Sequence, residues 1–170
     1  MDLKKYIYDI PNFPKEGILF RDITPLLNDG EAYSYVIDLM VEYAKKVGAT
    51  KIASPEARGF LFGVAVANKL KLPFVPVRKP GKLPRKTIDE KYDLEYGTNT
   101  ICIHDDAINN KDKVLIVDDL LATGGTVNAA ANLVKKAGGT VCGMIFLIEL
   151  VDLKGSELLK EYRINSIIKY

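Results

Sequence analysis

Asp118 and Asp119 stand side by side at the end of an apolar run, Val114-Leu115-Ile116-Val117, and Thr123-Gly124-Gly125-Thr126 follows closely. Gly124 and Gly125 carry no side chain to block a tight turn, so successive backbone N–H groups can converge there on an anion. Thr123 and Thr126 add hydroxyl donors, and a helix starting at this point turns its positive end toward the same place. The chemistry is that of a phosphate cradle. The two carboxylates would repel a free phosphate, but carboxylates accept hydrogen bonds from sugar hydroxyls. A ligand with a phosphate at one end and a vicinal diol nearby, such as a ribose 5-phosphate, satisfies both halves.

Other phosphate chemistry fits less well. There is no Gly-x-x-x-x-Gly-Lys-Ser/Thr, so the lysine that defines a P-loop is missing, and Gly138, Gly139 and Gly143 do not have dinucleotide-binding spacing. In a phosphorylatable receiver domain most of the chain follows the acidic pair, whereas Asp119 lies well past the middle of these 170 residues. One histidine and two separated cysteines cannot supply the three or four nitrogen and sulfur ligands of a usual zinc site, nor a persuasive histidine-dependent triad. His104 is expected at a solvated strand end. Cys102 and Cys142, each in an apolar run, are expected as buried, reduced side chains.

The elements that must hold this turn are legible as alternating strand and helix signals, which predict an α/β sheet. Asn28 and Asp29 can cap a helix whose apolar stripe runs through Val36, Met40, Tyr43, Ala44 and Val47. Lys51–Ser54 reads as a strand, Gly59–Leu70 as a helix and Phe74–Val77 as a strand near a sheet edge. Tyr92–Tyr96 and Thr100–His104, on either side of Gly97, predict a two-stranded excursion able to act as a lid. Lys113–Val117 reads as a buried strand leading into a short loop, and Val127–Ala137 as a helix stopped by Gly138. Thr140–Ile148 predicts another buried strand, followed by a short helix near Ser156–Tyr162 and an edge strand from Ile164 to Ile168.

Composition narrows the field. At 170 residues the chain can bury a core without staples, and one compact domain is expected. Lysine plus arginine number 24 against 22 acids, and a net charge of +2 argues against general affinity for nucleic acid or anionic membrane. The most apolar stretch, Val141–Val151, is interrupted by Glu149 and falls short of the roughly 18 residues that a membrane span requires. Met1–Ile10 lacks the features of a secretion signal, so a cytoplasmic protein is expected.

Several blocks, in order along the chain, carry a family resemblance. They are Phe20-Arg21-Asp22-Ile23-Thr24-Pro25-Leu26-Leu27, Ala57-Arg58-Gly59-Phe60-Leu61-Phe62-Gly63, Gly81-Lys82-Leu83-Pro84, Leu94-Glu95-Tyr96-Gly97 and Leu120-Leu121-Ala122-Thr123-Gly124-Gly125-Thr126, with Val151-Asp152-Leu153-Lys154-Gly155 beyond them. With the acidic pair, the sequence resembles the type I phosphoribosyltransferases and, within them, the adenine phosphoribosyltransferase family. The resemblance implies a single domain over residues 1–170 with a central, mainly parallel sheet flanked by helices. It also implies a small hood, from about residues 1–28 with the C-terminal segment, and a flexible two-stranded lid over about residues 80–105.

The implied reaction moves 5-phosphoribosyl from phosphoribosyl pyrophosphate to N9 of adenine, giving AMP and pyrophosphate, in a homodimer assisted by Mg²⁺. Carried over by position, Ala122, Thr123, Gly124, Gly125 and Thr126 would hold the 5-phosphate, and Asp118 and Asp119 the ribose hydroxyls. Arg58 and Gly59 would lie in a pyrophosphate loop whose Glu56-Ala57 peptide is expected to be cis, the kind of strain usually tied to function. Arg78, Lys79 and Lys82 would support pyrophosphate, with a solvated basic face as the alternative. Leu19, Phe20 and Arg21 would form the adenine pocket, Phe20 stacking on the base. Phe20 as ordinary core is the alternative there.

Breaking the bond between ribose C1 and pyrophosphate builds positive charge on the sugar and negative charge on the leaving group. Arg58 would stabilise the second, and Glu95 is the candidate for handling the N9 proton, with a surface role as its alternative. Mg²⁺ would take substrate oxygens and water, so no dedicated protein metal cluster is expected. Other readings are a phosphoribosyltransferase for another base, or a donor-sensing regulator, though no added DNA-binding domain is apparent.

Overall fold

A computed structural model describes residues 1–94 and 96–170. It divides into two units, Met1–Leu39 and Met40–Tyr170.

In the first unit a 3₁₀ turn at Leu3–Tyr6 leads to β1 (Tyr8–Pro11) and β2 (Leu19–Asp22), which pair antiparallel with Ile10 opposite Phe20 and Asp9 opposite Arg21. Asp22 closes the entry to the short helix α1 (Thr24–Leu27). Its Oδ1 accepts the Thr24 N–H at 2.9 Å, and its Oδ2 lies 2.9 Å from the Thr24 hydroxyl. Helix α2 (Gly30–Lys46) starts where Asp29 Oδ1 accepts the N–H groups of Glu31 and Ala32 at 3.1 and 2.9 Å. These are orphan donors of a first turn, and a side-chain acceptor there contributes about 1 kcal/mol. Of the two candidate caps Asp29 does the capping, while Asn28 closes α1.

The second unit is built on a five-stranded parallel sheet in the order β4-β3-β7-β8-β9. Its strands are β3 (Lys51–Pro55), β4 (Phe74–Val77), β7 (Lys113–Leu121), β8 (Thr140–Glu149) and β9 (Ile164–Lys169), with β4 and β9 at the edges as expected. Helix α3 (Arg58–Leu70) packs on β3 and β7, and α4 (Gly125–Lys136) on β7 and β8. Strands β5 (Thr87–Leu94) and β6 (Gly97–His104) form a separate antiparallel pair. Alternate residues of β7, Val114 and Ile116, are wholly buried in one cluster with Leu133 and Val134 of α4 and Ile101 and Ile103 of β6. Burial of each such side chain is worth about 1.5–3 kcal/mol, so the hairpin is anchored to the same core as the sheet.

The hairpin strands are longer than expected, β5 starting at Thr87 rather than Tyr92 and β6 at Gly97 rather than Thr100, and four further expectations need correction. Strand β7 does not stop at Val117: its ladder with β8 continues through Asp118 opposite Phe146 to Leu121 opposite Glu149, so the acidic pair sits within a strand. Helix α4 begins at Gly125, two positions before Val127, because Gly124 at φ +88° already turns the chain into it. The last helix, α5 (Gly155–Leu158), is shorter than Ser156–Tyr162, since Glu157, Leu159 and Tyr162 each bond the carbonyl three residues back. Cys102 is buried, but Cys142 is only half-buried; both are free thiols.

Candidate active site

A cleft of about 250 Å³ opens where β3 and β7 end and α3 and α4 begin. This is the carboxyl end of a parallel sheet, where helix N-termini and strand ends leave unpaired backbone donors. Arg58, Asp118, Asp119, Ala122, Thr123, Gly124, Gly125 and Thr126 line it. Pro55, Glu56, Ala57, Leu120, Leu121 and Val127 complete the wall.

The turn from Ala122 to Gly125 is shaped by close backbone approach. Gly124 has a left-handed backbone, and a Cβ there would come within 2.9 Å of the Gly155 carbonyl oxygen. A Cβ on Gly155 would lie 2.3 Å from the Ala122 carbonyl oxygen, so the two glycines form a side-chain-free contact beneath the turn. Gly125 is less constrained: a Cβ would meet the Tyr92 ring at 3.5 Å, an ordinary contact. The spacing of Gly124 was readable from sequence. The need for Gly155 was not, because its partner lies on another element.

The acids lean on the start of α3. Asp118 Oδ1 accepts the Asp119 N–H at 2.8 Å and would be 2.8 Å from a Cβ on Gly59, which explains the glycine at the second position of α3. Burial, followed by the neighbouring Asp119 charge, pushes the Asp118 carboxyl well above the usual aspartate range. Asp119 is 4% exposed, and its Oδ2 lies 2.8 Å from Nε of Arg58. Cation and carboxylate thus neutralise one another at the cleft wall.

The other predicted groups stand apart from this wall. Gly59 is buried behind it, and Arg78, Lys79 and Lys82 are not among the lining residues. They occupy a turn after β4 in which Pro80 and Gly81, at φ +81°, stand in the two central positions, and the Lys82 N–H bonds the Lys79 carbonyl at 3.3 Å. Proline followed by a positive-φ glycine is the signature of a type II turn, which accounts for Pro80. Glu56 links the turn to the cleft: its Oε1 accepts the Lys79 N–H at 2.7 Å and lies 3.4 Å from Arg78 Nε. Burial opposes ionisation of Glu56, but the Lys79 N–H and the Arg78 charge outweigh it and hold the carboxyl below its ordinary range. The adjacent Glu56-Ala57 peptide is cis, as the resemblance implies.

In the first unit, Leu19, Phe20 and Arg21 lie on β2. Leu19 is exposed, Phe20 is half-buried with its ring edge-on to Phe13 at 5.0 Å, and Arg21 pairs with Asp9. The cleft described in that unit is lined instead by Tyr8, Thr24, Pro25, Leu27 and Asn28. Glu95 lies outside the described residues. His104 ends β6 half-buried, 3.4 Å from the Arg85 N–H through Nε2.

Among the described residues no three His, Cys, Asp or Glu side chains converge as a metal cluster, and no helix is long and apolar enough to cross a membrane. The oxygen donors at the cleft, Asp118 and Asp119, suit a hard cation that keeps most of its ligands from water and substrate.

Residues 25–168 match the phosphoribosyl transferase domain model. The chain is 55% identical to the adenine phosphoribosyltransferase of Pseudothermotoga lettingae over 170 residues, the full length of both. The crystal structure of adenine phosphoribosyltransferase from Thermoanaerobacter pseudethanolicus superposes with a TM-score of 0.96 at 51% identity, covering 99% of this chain and 98% of that one. The Saccharomyces cerevisiae adenine phosphoribosyltransferase, complexed with an imino-altritol bisphosphate and adenine, matches with a TM-score of 0.93 at 36% identity, over 98% of this chain and 96% of that one.

Proposed function

As a chain that belongs to the phosphoribosyltransferase family, and within it to the adenine phosphoribosyltransferases, this protein transfers 5-phosphoribosyl from phosphoribosyl pyrophosphate to N9 of adenine in purine salvage, and we propose that the cleft at the end of β7 is its donor site. One observation carries the assignment: the side-chain-free turn at Gly124 and the Arg58–Asp119 pair face one cleft.

In this reading the backbone N–H groups and hydroxyls of Ala122–Thr126 hold the 5-phosphate, and Asp118 and Asp119 accept from the ribose hydroxyls. The sugar and its phosphate are thereby fixed while C1 changes partner. Arg58, with the loop at Gly59, draws the developing negative charge of pyrophosphate, and Arg78, Lys79 and Lys82 extend that positive field. A carboxylate near the sugar favours its oxocarbenium-like state without bonding to it. Leu19, Phe20 and Arg21 hold adenine, Phe20 by stacking, and Glu95 takes the N9 proton. Mg²⁺, held mainly by donor oxygens and water beside Asp118 and Asp119, would neutralise charge on the leaving group.

The assembly in this reading is a cytoplasmic homodimer, for which the exposed Leu61 and Val64 of α3 offer an apolar face. A crystal structure with bound phosphoribosyl pyrophosphate tests the site: its phosphate is expected at Ala122–Thr126, and density elsewhere would overturn the assignment. Assay with the donor, Mg²⁺ and each purine or pyrimidine base tests the acceptor. Preference for hypoxanthine, xanthine or uracil would leave the donor site standing and overturn the base.

A further inference from the structure

The hairpin β5–β6 reaches the phosphate turn through a directed chain of hydrogen bonds. Asn99 on β6 uses its Oδ1 to accept the Thr100 N–H at 3.0 Å, so its amide NH₂ is the side turned to Tyr92. That Nδ2 donates to the Tyr92 hydroxyl oxygen at 3.1 Å. A phenol has one proton, and with its oxygen accepting from Asn99, that proton is available to Thr126 Oγ1, 3.0 Å away. Thr126 lines the cleft. A threonine hydroxyl that accepts from tyrosine keeps its own proton to give, and a phosphate monoester dianion can only accept.

Further along, the hairpin is fastened to α4, the helix that starts at the same turn. Glu90 Oε1 accepts from Asn132 Nδ2 at 3.3 Å, Glu90 pairs with Lys136, and Lys136 Nζ donates to the Asp89 carbonyl at 3.0 Å. Tyr92 is therefore held from both sides, and a Cβ added to Gly125 would meet its ring at 3.5 Å.

We propose that Tyr92 and Asn99 are positioning residues for the donor: they fix Thr126 as a hydrogen-bond donor to the 5-phosphate and so make the hairpin part of the phosphate grip. The proposal rests on the donor-site reading above and adds residues outside the phosphate turn to it. Docking of the hairpin on α4 and binding of the phosphate then support each other, because loosening those contacts frees the Thr126 hydroxyl to turn away.

The test is calorimetric titration of the full chain with ribose 5-phosphate, using the wild type, Tyr92→Phe, Thr126→Val and the double variant, with thermal unfolding as a check on folding. Losing one neutral hydrogen bond predicts about two- to ten-fold weaker binding for Tyr92→Phe. In the Thr126→Val background the same change should have no further effect, since Tyr92 acts through the missing hydroxyl. Asn99→Ala should weaken binding in the same direction, and amides of the hairpin should gain less exchange protection on ligand addition in Tyr92→Phe. An unchanged affinity in Tyr92→Phe, or an equal loss in both backgrounds, overturns the relay. A wild type that does not bind ribose 5-phosphate overturns the donor site itself, and the relay with it.

Discussion

Nε of Arg58 lies 2.8 Å from Oδ2 of Asp119, joining the first residue of a helix to a nearly buried strand acid. In the proposed reaction the arginine serves the pyrophosphate and the aspartate serves the ribose, each through N–H groups or oxygen lone pairs that their mutual contact leaves over. Asp119→Asn keeps the shape but removes the charge. Steady-state kinetics should show kcat/KM for the donor falling roughly 10²-fold, as for loss of one preorganised electrostatic group. Wild-type kinetics would contradict the assignment.

Gly124 and Gly125 should respond unequally. Alanine at 124 faces both a left-handed backbone and a carbonyl oxygen at 2.9 Å, so Gly124→Ala should lose about 1–2 kcal/mol from the backbone alone and weaken ribose 5-phosphate binding. Gly125→Ala should unfold like the wild type, whereas the larger Gly125→Val would press on Tyr92 and reduce donor binding and turnover. Urea titrations that rank the two alanine variants the other way would refute this.

Asp118 should make stability depend on pH. Its native carboxyl is raised by burial and by Asp119, so above the ordinary aspartate value of about 4 the folded state holds a proton that the unfolded chain has released. The native state therefore loses stability as pH rises through that window. Asp118→Asn should remove the slope, gaining stability relative to wild type as pH rises from acid toward neutral. Parallel stability curves for the two proteins would rule it out.

Glu56→Ala should release the turn that carries Arg78, Lys79 and Lys82, because Glu56 receives the Lys79 N–H and faces the Arg78 guanidinium. Loss of these charge-assisted contacts predicts a rise in the donor KM of about ten-fold. The adenine KM should stay near its original value. A rise confined to adenine would break the link between Glu56 and pyrophosphate.

The candidate phosphate turn was legible because its groups are contiguous: apolar strand, acids, threonines and glycines follow one another, and local chemistry states what they can hold. The capping of α2 by Asp29, the edge position of β4 and the hairpin around Gly97 were legible for the same reason. Cys142 and the length of α5 depart from their local pattern because neighbouring strands and turn bonds, rather than the local run, decide burial and extent.

From its residues alone the chain determined an α/β sheet and a backbone turn fit for a phosphate, since hydrophobic period and glycine freedom act over a few positions. Tertiary structure alone decided that Gly155 must be bare beneath Gly124, that Glu56 holds the basic turn, and that Tyr92 reaches Thr126. Those contacts join segments far apart in the chain, and a distance of 3 Å between them exists only after the sheet, α4 and the hairpin share one core.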